Sequence, residues 1–309
     1  MSPLVYLIYI NRKEFESTDV ASWYSVVKLT EAFNKRGVNV ELVPLNTREE
    51  TPYTINKPAP DGAIVIDIID YYMRVRNLDN IEIISQWDTV FLNDVEAKER
   101  SDNKLSLYQT LSSSGISVPN SYSSPRGDES ITLEYAEGLI SILGTPVVVK
   151  PALGYYGKDT FLCSDAADIV SKVNYIRGHN NDYVPIVIQE YVNDYNDIVI
   201  RVNVVGDYVN AYARVVSPTE DVKFNNDNKF KYRLPIKVPA DLKDYILKAK
   251  DVLGIDAAAC DVLVTNTGYK LIDVNTPGSF KVYDAICQDN FADRVAQCLY
   301  EKMQAAGKI

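Results

Sequence analysis

The chain has 309 residues, of which 46% are hydrophobic and 24% are charged, and its formal net charge at pH 7 is -10. Such a length is enough for two or three subdomains packed together, and the composition is that of an ordinary globular protein. The sequence has no uncharged apolar run of about 18 residues, which a membrane span requires, and the acidic balance disfavours a broad nucleic-acid surface. We therefore predict neither a membrane nor a nucleic-acid partner.

The histidine and cysteine content restricts the chemistry further. One histidine and four widely separated cysteines, none in a CxxC motif, disfavour a zinc site and a Ser-His-Asp triad. Reduced structural thiols and a cytoplasmic location are expected. If the protein is an enzyme, then lysines, arginines, carboxylates or a metal ion carry its chemistry.

The first hundred residues alternate between strand-like and helical segments. A helix is predicted at 22–37, and strand patterns occur in four runs: 4–10, 38–45, 62–69 and 81–85. The first run follows Met1 without a basic segment, which is typical of a strand rather than a signal peptide. The alternation predicts a parallel-sheet βαβ domain over residues 1–100, without the GxGxxG motif of a dinucleotide site.

A second unit begins near Ser101. Residues 101–115 are predicted to form an N-capped helix that ends at Gly115, residues 131–144 a second helix, and "PVVVK" a strand. Further helices are predicted at 165–178, 239–253 and 284–306, with antiparallel hairpins between them.

The stretch "VVVKPALGYYGKDT", residues 147–160, joins a strand to a loop with two glycines and a second lysine. It fails the Walker A pattern because Lys158 is followed by Asp rather than by Ser or Thr. We predict a loop between two antiparallel strands. Such a loop either folds over a triphosphate through its backbone N–H groups or is only a mobile hairpin loop.

Two carboxylates are predicted to face each other in "AAACDVLVTNTGYKLIDVNTPG", residues 257–278. A three-residue "NTG" loop places Asp261 opposite Asp273, and the two-residue period places Asn275 on the same face. Two aspartates roughly 4.5–5.5 Å apart at Cβ repel each other, and a divalent cation such as Mg²⁺ removes the conflict. The alternative is a slipped register or a solvated face with two exposed aspartates.

Basic residues form a second constellation. "RVNVVGDYVNAYAR" is predicted to be a hairpin that turns at Gly206-Asp207, with Arg201 and Arg214 as diagonal neighbours on one face. Two like charges placed together favour a bound anion, although an exposed sheet edge also carries arginines. Lys104 and Lys150 lie at the start of a helix and the end of a strand, where each alone indicates nothing.

Taken in order, these segments resemble the ATP-grasp superfamily, and within it the RimK/LysX-like carboxylate–amine ligases. The resemblance covers roughly residues 90–306. It implies an α/β (α+β) ATP-grasp fold in which the N-terminal βαβ domain, 1–100, precedes a central subdomain with the glycine loop, 101–188. A C-terminal subdomain with the metal site, 189–309, completes the chain.

The resemblance also implies the roles of the site residues and the cofactors, which are ATP and one or two Mg²⁺ ions, with Mn²⁺ as a substitute. The metal residues would be Asp261, Asp273 and Asn275, and Arg214, with Arg201 as helper, would stabilise the transferring phosphoryl group. The implied nucleotide contacts are Lys104, Lys150, Gly154, Gly157, Gln189, Glu190, Tyr191 and Val192.

Three features depart from the family pattern or belong to one branch of it. The family usually has Glu where Asp273 stands. "VKFNNDNKFKYR" offers Lys223 and Asn225 as substrate contacts, but it lacks the glycines that usually follow the hairpin. "NTPGSFK" is closer to the LysX branch, so Phe280 and Lys281 are predicted either to touch substrate or to serve packing and surface roles.

The implied reaction is amide formation from a carboxylate and an amine through an acyl phosphate, with release of ADP. The expected carboxylate belongs to an amino acid, a peptide or an acidic carrier protein. The basic residues Lys223, Lys229, Lys231, Arg233 and Lys237 form either a docking site for such a carrier or, by default, a solvated loop. Homo-oligomers are expected from the family. The alternatives are another ATP-grasp ligation, of the D-alanine, glutathione or purine-pathway type, or a nucleotide-binding protein without catalysis.

Overall fold

The computed structural model describes residues 3–11, 21–46, 63–66, 86–125, 131–154, 157–180, 185–195, 197–216, 230–276 and 280–309. The strand predicted at 81–85 lies outside these ranges. The strands are β1 Leu4–Asn11, β2 Asn39–Asn46, β3 Ala63–Ile66, β4 Val90–Leu92, β5 Ser121–Ser123, β6 Val147–Pro151, β7 Phe161–Cys163, β8 Ile186–Glu190, β9 Ile198–Val205, β10 Tyr208–Val216, β11 Phe230–Ile236, β12 Ala257–Thr265 and β13 Gly268–Asn275.

The helices are α1 Ala21–Asn34, α2 Val95–Asp102, α3 Lys104–Ser113, α4 Leu133–Leu143, α5 Ala166–Asn180, α6 Ala240–Leu253, α7 Lys281–Cys287 and α8 Phe291–Ala305. None of the helices in the described ranges is long and apolar enough to cross a lipid bilayer.

The first sheet is parallel, with strand order β2-β1-β3-β4. Helix α1 buries Val26, Leu29 and Phe33 against it, at the three-to-four-residue spacing that one helix face requires. The chain leaves the helix through Gly37, whose φ of 70° lies in the left-handed region that favours glycine. The predicted parallel βαβ arrangement is confirmed.

The second sheet is antiparallel, with order β5-β8-β6-β7. The apolar core beneath it comes from helices α4 and α5 and from inward-facing residues of its strands, including Val147, Val149, Ile186 and Ile188. Every residue of this core lies between residues 131 and 188. The second sheet is therefore stabilised by a core of its own.

The third sheet is antiparallel and has five strands in the order β11-β10-β9-β12-β13. Helices α3 and α6 pack against one face, where Val202, Ala258 and Val262 are buried. Part of the other face shares a core with α1, α7, α8 and the first sheet through Val205 and Ala257. The last segments of the chain thus pack against the first, and the division at residues 100 and 188 stays a prediction.

The hairpin of β12 and β13 differs from its prediction at the turn and agrees with it at the carboxylates. Thr265 pairs with Gly268 across a two-residue turn, whereas the sequence predicted a three-residue loop. A β-bulge follows, because Asp261 pairs with Asp273 while Val262 pairs with Leu271, which leaves Ile272 as the extra residue. Because the turn is one residue shorter than predicted and the bulge adds one residue to β13, Asp261 and Asp273 still face each other as predicted.

The predicted C-terminal helix 284–306 is wrong as a single element. The chain ends α7 at Gln288, whose φ of 49° is left-handed, and begins α8 after Asn290, whose side chain caps the backbone N–H of Asp293. The predicted helix start at Ser101 is also divided. Residues up to Asp102 belong to α2, and Asn103 caps the first turn of α3.

Candidate active site

A cleft lies between the second and third sheets. The cleft is lined by Lys104, Pro119, Val148, Lys150, Pro151, Gly154, Gly157, Lys158, Thr160, Gln189, Glu190, Tyr191, Val192, Leu263, Ile272 and Asp273. It brings together all eight residues predicted to contact the nucleotide.

Lys150 projects from strand β6 into this cleft. Its ammonium donates to the Gln189 side-chain oxygen and to the Tyr108 hydroxyl, both at 3.0 Å. Burial lowers the pKa of Lys150 to about 8, against a smaller opposing effect from the carboxylate of Asp273. Because burial penalises the charged form, an anion at this position would be bound strongly.

Lys104, at the start of α3, reaches the same cleft from the opposite side. Its ammonium donates to the Gly154 carbonyl oxygen at 2.9 Å and lies 3.4 Å from an Asp273 carboxylate oxygen. A single lysine therefore connects the glycine loop to one of the two predicted metal carboxylates.

The glycine loop enters the cleft through two positions that favour glycine for different reasons. A Cβ atom at Gly154 would lie 3.0 Å from the Pro151 ring, and Gly157 has a φ of 64°. Lys158 and Thr160 also line the cleft. Residues 155–156, between the two glycines, lie outside the described ranges.

The predicted nucleotide contacts at residues 189–192 form one wall of the cleft. The buried Gln189 side chain donates to the Ser121 hydroxyl at 2.7 Å and accepts from Lys150. Both the nitrogen and the oxygen of its amide are therefore hydrogen-bonded within the protein. The Glu190 carboxylate binds Lys270 in a short ion pair and accepts from Asn120 at 2.9 Å. These side chains fix the wall, whose strand residues Gln189 and Glu190 also pair their backbones with neighbouring strands.

The carboxylate pair of the third sheet is present, but its two members have different surroundings. Asp273 keeps 16% of its side chain exposed and lies at the cleft, whereas the Asp261 side chain is 2% exposed. Asn275 lies on the same face as Asp273, because its amide nitrogen is 3.4 Å from an Asp273 carboxylate oxygen.

Asp261 is held by the two predicted arginines. Arg201 and Arg214 contact the same carboxylate oxygen, Oδ1, at 2.8 and 2.6 Å. Burial alone would raise the pKa of Asp261, but the charges and hydrogen bonds of both arginines outweigh it and hold the pKa below its usual range. The diagonal arrangement of the arginines is confirmed by the strand register, and Asp261 itself is an anion that they bind.

The residues at this edge suit a magnesium ion in their chemistry. Two carboxylates and the amide oxygen of Asn275 are hard oxygen ligands, and both arginines occupy Oδ1 of Asp261, so Oδ2 is the oxygen that a cation would take. Asp273 has two long contacts, with the Lys104 ammonium and with the Asn275 amide nitrogen, both at 3.4 Å, which a cation could replace. Within the described ranges, no three carboxylate, cysteine or histidine side chains cluster as metal ligands.

A buried ionic network behind the site was missed by the sequence analysis. The Lys98 ammonium donates to the Thr276 carbonyl oxygen at 2.6 Å and lies 3.2 Å from the Asp102 carboxylate, which also accepts from the Thr276 hydroxyl. This network ties the chain next to Asn275 to the helix that precedes Lys104. A lysine and an aspartate at helical i,i+4 spacing were the available signal.

The tentative substrate residues divide into three groups. Phe280 has no exposed surface and packs 5.2 Å from the Phe291 ring, so packing is the role that the structure shows for it. Lys281 opens helix α7 and is half-buried. Lys223 and Asn225 lie outside the described residues.

The cleft also has apolar contributors that were not predicted. Leu263 and Ile272 line it from the third sheet. Ile272 is the extra residue of the bulge, and its carbonyl oxygen accepts from Tyr108 at 2.7 Å. A strict two-residue alternation cannot reveal such a residue, because a bulge breaks the alternation.

This three-sheet arrangement is the ATP-grasp fold. D-alanine–D-alanine ligase from Bacillus anthracis superimposes with a TM-score of 0.68 at 14% identity, covering 99% of this chain and 100% of that one. The macrocyclase MdnC of Microcystis aeruginosa MRC, bound with the precursor peptide MdnA, gives 0.67 at 13% identity, covering 96% and 99%. At these identities the likeness concerns the fold alone.

Sequence similarity identifies the family, among proteins with this fold, to which the chain belongs. The family model for the RimK-like ATP-grasp domain matches residues 101–299, and the chain belongs to this family of ATP-dependent carbon–nitrogen ligases. A relative from Aeromonas salmonicida (strain A449), described as a probable alpha-L-glutamate ligase, is 26% identical over 295 residues. That match covers 92% of this chain and 95% of the relative.

Proposed function

We propose that the protein is an ATP- and Mg²⁺-dependent ligase that joins a carboxylate to an amine through an acyl phosphate, with an amino acid, a peptide or a carrier protein as the source of the carboxylate. The observation that carries the proposal is the convergence of Lys104, Lys150 and Asp273 on one cleft beside the buried Asp261–arginine cluster. The two lysine ammonium groups would contact the nucleotide phosphates there, and the carboxylate oxygens would bind the metal ion.

The residues of the cleft have separate tasks in this reaction. Lys150 and Lys104 neutralise phosphate oxygens, and the glycine loop covers them with backbone N–H groups. The wall at 189–192 holds the base through its backbone, against the apolar Leu263 and Ile272. Mg²⁺ held by Asp261, Asp273 and Asn275 would supply charge neutralisation between the phosphates.

The arginines prepare the site on the substrate side. Arg214 and Arg201 are oriented by Asp261, so their N–H groups are in place before the reacting groups arrive. Preorganised donors of this kind stabilise charge that develops on a transferring phosphoryl group and on an acyl phosphate. The substrate carboxylate attacks the γ-phosphorus, the amine then displaces phosphate from the acyl carbon, and the protein needs to supply no covalent nucleophile.

Two observations support an amino-acid or peptide substrate: the descriptions of similar proteins, and the net negative charge of this chain, which disfavours an acidic carrier protein. The relative from Aeromonas is described as a ligase of glutamate, and MdnC binds a precursor peptide. An acidic carrier protein would face a chain with a net charge of -10 and would need the local basic residues of β11 and the segment before it.

The test is ADP and phosphate release in the presence of ATP and Mg²⁺, with common amino acids, dipeptides and acidic acceptors supplied singly and in pairs. We expect release to require both a carboxylate and an amine, and we expect a product lighter by one water than their sum in mass spectrometry. Nucleotide binding without turnover for any pair would contradict the proposal and favour a non-catalytic nucleotide-binding protein.

A further inference from the structure

The site face of the third sheet carries two adjacent rows of polar side chains. The strand register defines the first row as Tyr212, Arg201, Asp261 and Asp273. It defines the second row, two residues further along each strand, as Asn210, Asn203, Ala259 and Asn275. Arg201, Asp261 and Asp273 of the first row and Asn275 of the second already have roles in the proposed site, whereas Asn210 and Asn203 of the second row have none.

Asn203 is the exceptional member of the second row. Its residue is 1% exposed, and neither its amide nitrogen nor its amide oxygen has a hydrogen-bond partner among the described residues. Its neighbour Asn210 donates to the Tyr208 hydroxyl and accepts from the backbone N–H of Ala211. A buried amide without partners destabilises a folded protein, so each such group calls for a partner, which can be a bound ligand or an ordered water.

The position of Asn203 relates it to the reacting groups. Arg201 precedes it by two residues on the same strand, so the two side chains project from the same face at a spacing of about 7 Å. Ala259 lies between Asn203 and Asn275, and its methyl group is the smallest side chain of the two rows. Asn203 and Asn275 are therefore separated by two strand spacings, about 10 Å, with only the small Ala259 side chain between them.

The chemistry of Asn203 indicates what it would recognise. A side-chain amide offers one acceptor oxygen and two donor hydrogens, so its complement has both a donor and an acceptor. A phosphate offers only acceptors, so it would pair with the donor hydrogens of the amide and leave the amide oxygen without a partner. Charges of both signs lie near Asn203, on Arg201 and Arg214 and on Asp261 and Asp273. A zwitterion with an amino group and a carboxylate matches both properties.

We propose that Asn203 is a substrate-binding residue for an α-amino acid, accepting from its amino group and donating to its carboxylate. The inference rests on the proposed function and specifies the substrate class of the same site. To reach Asn203, a ligand group would have to displace the side chain of Arg201, which is 16% exposed, because Asn203 and Ala259 are themselves buried.

The experiment compares Asn203→Leu with the matched variant Asn210→Leu, which changes the adjacent amide of the same row. Rates of ADP formation are measured with ATP, Mg²⁺ and the common amino acids, together with melting temperatures and Mg²⁺–ADP binding. We expect Asn203→Leu to raise the half-saturating amino-acid concentration at least tenfold, to leave Mg²⁺–ADP affinity within twofold, and not to lower the melting temperature. Asn210→Leu, which loses two hydrogen bonds, is expected to lower the melting temperature and to leave amino-acid saturation within twofold.

The outcomes separate the two hypotheses. Amino-acid saturation of Asn203→Leu within twofold of the unmodified protein would overturn the role of Asn203 and leave the ligase intact. If the unmodified protein shows no amino-acid-dependent ADP formation, then the amino-acid substrate fails, and this inference fails with it. Should Asn203→Leu not bind Mg²⁺–ADP, the smaller Asn203→Ser replaces it in the same comparison, with the same tenfold criterion.

Discussion

The cleft between the second and third sheets and the cluster of Asp261, Arg201 and Arg214 both concentrate charge, but in different surroundings. In the cleft, Lys150 is held by neutral partners, Gln189 and Tyr108, and its pKa is lowered to about 8. In the cluster, Asp261 is compensated by two arginines at 2.8 and 2.6 Å, and its pKa is lowered as well. The cleft can therefore receive an external charge, whereas the Asp261 carboxylate already has its counter-charges.

The difference teaches how stability and function are divided between neighbouring residues. A group that awaits a ligand destabilises the protein without the ligand, and its removal is expected to change binding more than folding. A group that balances its neighbours stabilises the fold, and its removal is expected to change both. The following variants test this division, starting with the largest effect.

Asp261→Asn is expected to have the largest effect, because it leaves Arg201 and Arg214 buried without their counter-charge. Breaking a buried ion pair by removing one partner costs about 3–5 kcal/mol. We expect a decrease of that size in the free energy of unfolding, measured with urea, together with loss of turnover. The control is Asp293→Asn, whose ion pair with Arg36 at 2.7 Å is 44% exposed on the aspartate side and should contribute at most about 1 kcal/mol.

The same cluster predicts an acid-dependent stability. Since the pKa of Asp261 is lower in the folded state than in the unfolded chain, its contribution is present above the unfolded value of about 3.9 and is lost as pH falls below it. The stability difference between the unmodified protein and Asp261→Asn should therefore shrink as the pH is lowered from 5 towards 3. A constant difference would contradict the assignment.

Asp273→Asn is expected to separate function from folding. Its carboxylate is partly exposed and has a 3.4 Å contact with Lys104, so its neutralisation should change the melting temperature little. Removing one preorganised charge-stabilising group costs roughly 10²–10³ in kcat. We expect a rate loss of that size in Mg²⁺-dependent ADP formation. Unchanged turnover would remove Asp273 from the metal site.

Lys150→Met tests the poised lysine. Hydrogen bonds to charged groups contribute about 1.5–3 kcal/mol, which predicts a loss of roughly 10- to 100-fold in Mg²⁺–ADP affinity at pH 7. Because the pKa of Lys150 is about 8, the affinity of the unmodified protein should fall as pH rises above 8, and that of the variant should not. Isothermal titration at several pH values measures both.

For the same lysine, folding stability is expected to change with pH in the opposite direction to Mg²⁺–ADP affinity. A lysine whose pKa is lowered by burial binds fewer protons folded than unfolded between pH 8 and its ordinary value of about 10.4, so stability rises with pH in that window. Lys150→Met should therefore be at least as stable as the unmodified protein at pH 7 without nucleotide. A clear loss of stability would show that Lys150 serves the fold.

Lys270→Met is expected to have the smallest effect. It removes the partner of Glu190 on the wall of the cleft, where both side chains are about four-fifths buried. The wall keeps its backbone and the Asn120 contact, so we expect a loss of about 1 kcal/mol, or roughly fivefold, in ADP affinity. The exposed pair Lys28–Glu31 supplies a control, and Lys28→Met should leave the affinity unchanged.

Local patterns predicted much of this fold, and non-local contacts account for what they missed. Two-residue alternation placed Arg201 and Arg214 on one face, but the pairing of β9 with β12 that brings Asp261 to them joins residues 60 apart in sequence. The opposition of Asp261 and Asp273 was predicted through a wrong loop that an unforeseen bulge offset. Loop chemistry and alternation do not reveal a bulge or the partner of a strand.

The eight residues predicted to contact the nucleotide were predicted from motif order and resemblance, since neither lysine is informative alone. Lys98 was missed because its partners, Asp102 and the Thr276 backbone, come from two distant segments that meet only in the folded chain. Asn203 was equally invisible, because an asparagine in an alternating strand is ordinary until its lack of partners is known.

The separate core of the second sheet has a consequence for how the protein opens. That core draws only on residues 131–188, whereas the first sheet, part of the third sheet and helix α8 share another. Regions that share a core exchange their amide hydrogens together, and regions with separate cores exchange independently. The second sheet should thus form one cooperative unit of unfolding, and the joined first and last segments of the chain another. Removing the last helix would then accelerate hydrogen exchange in strand β1, at the far end of the sequence, before it does so in β6.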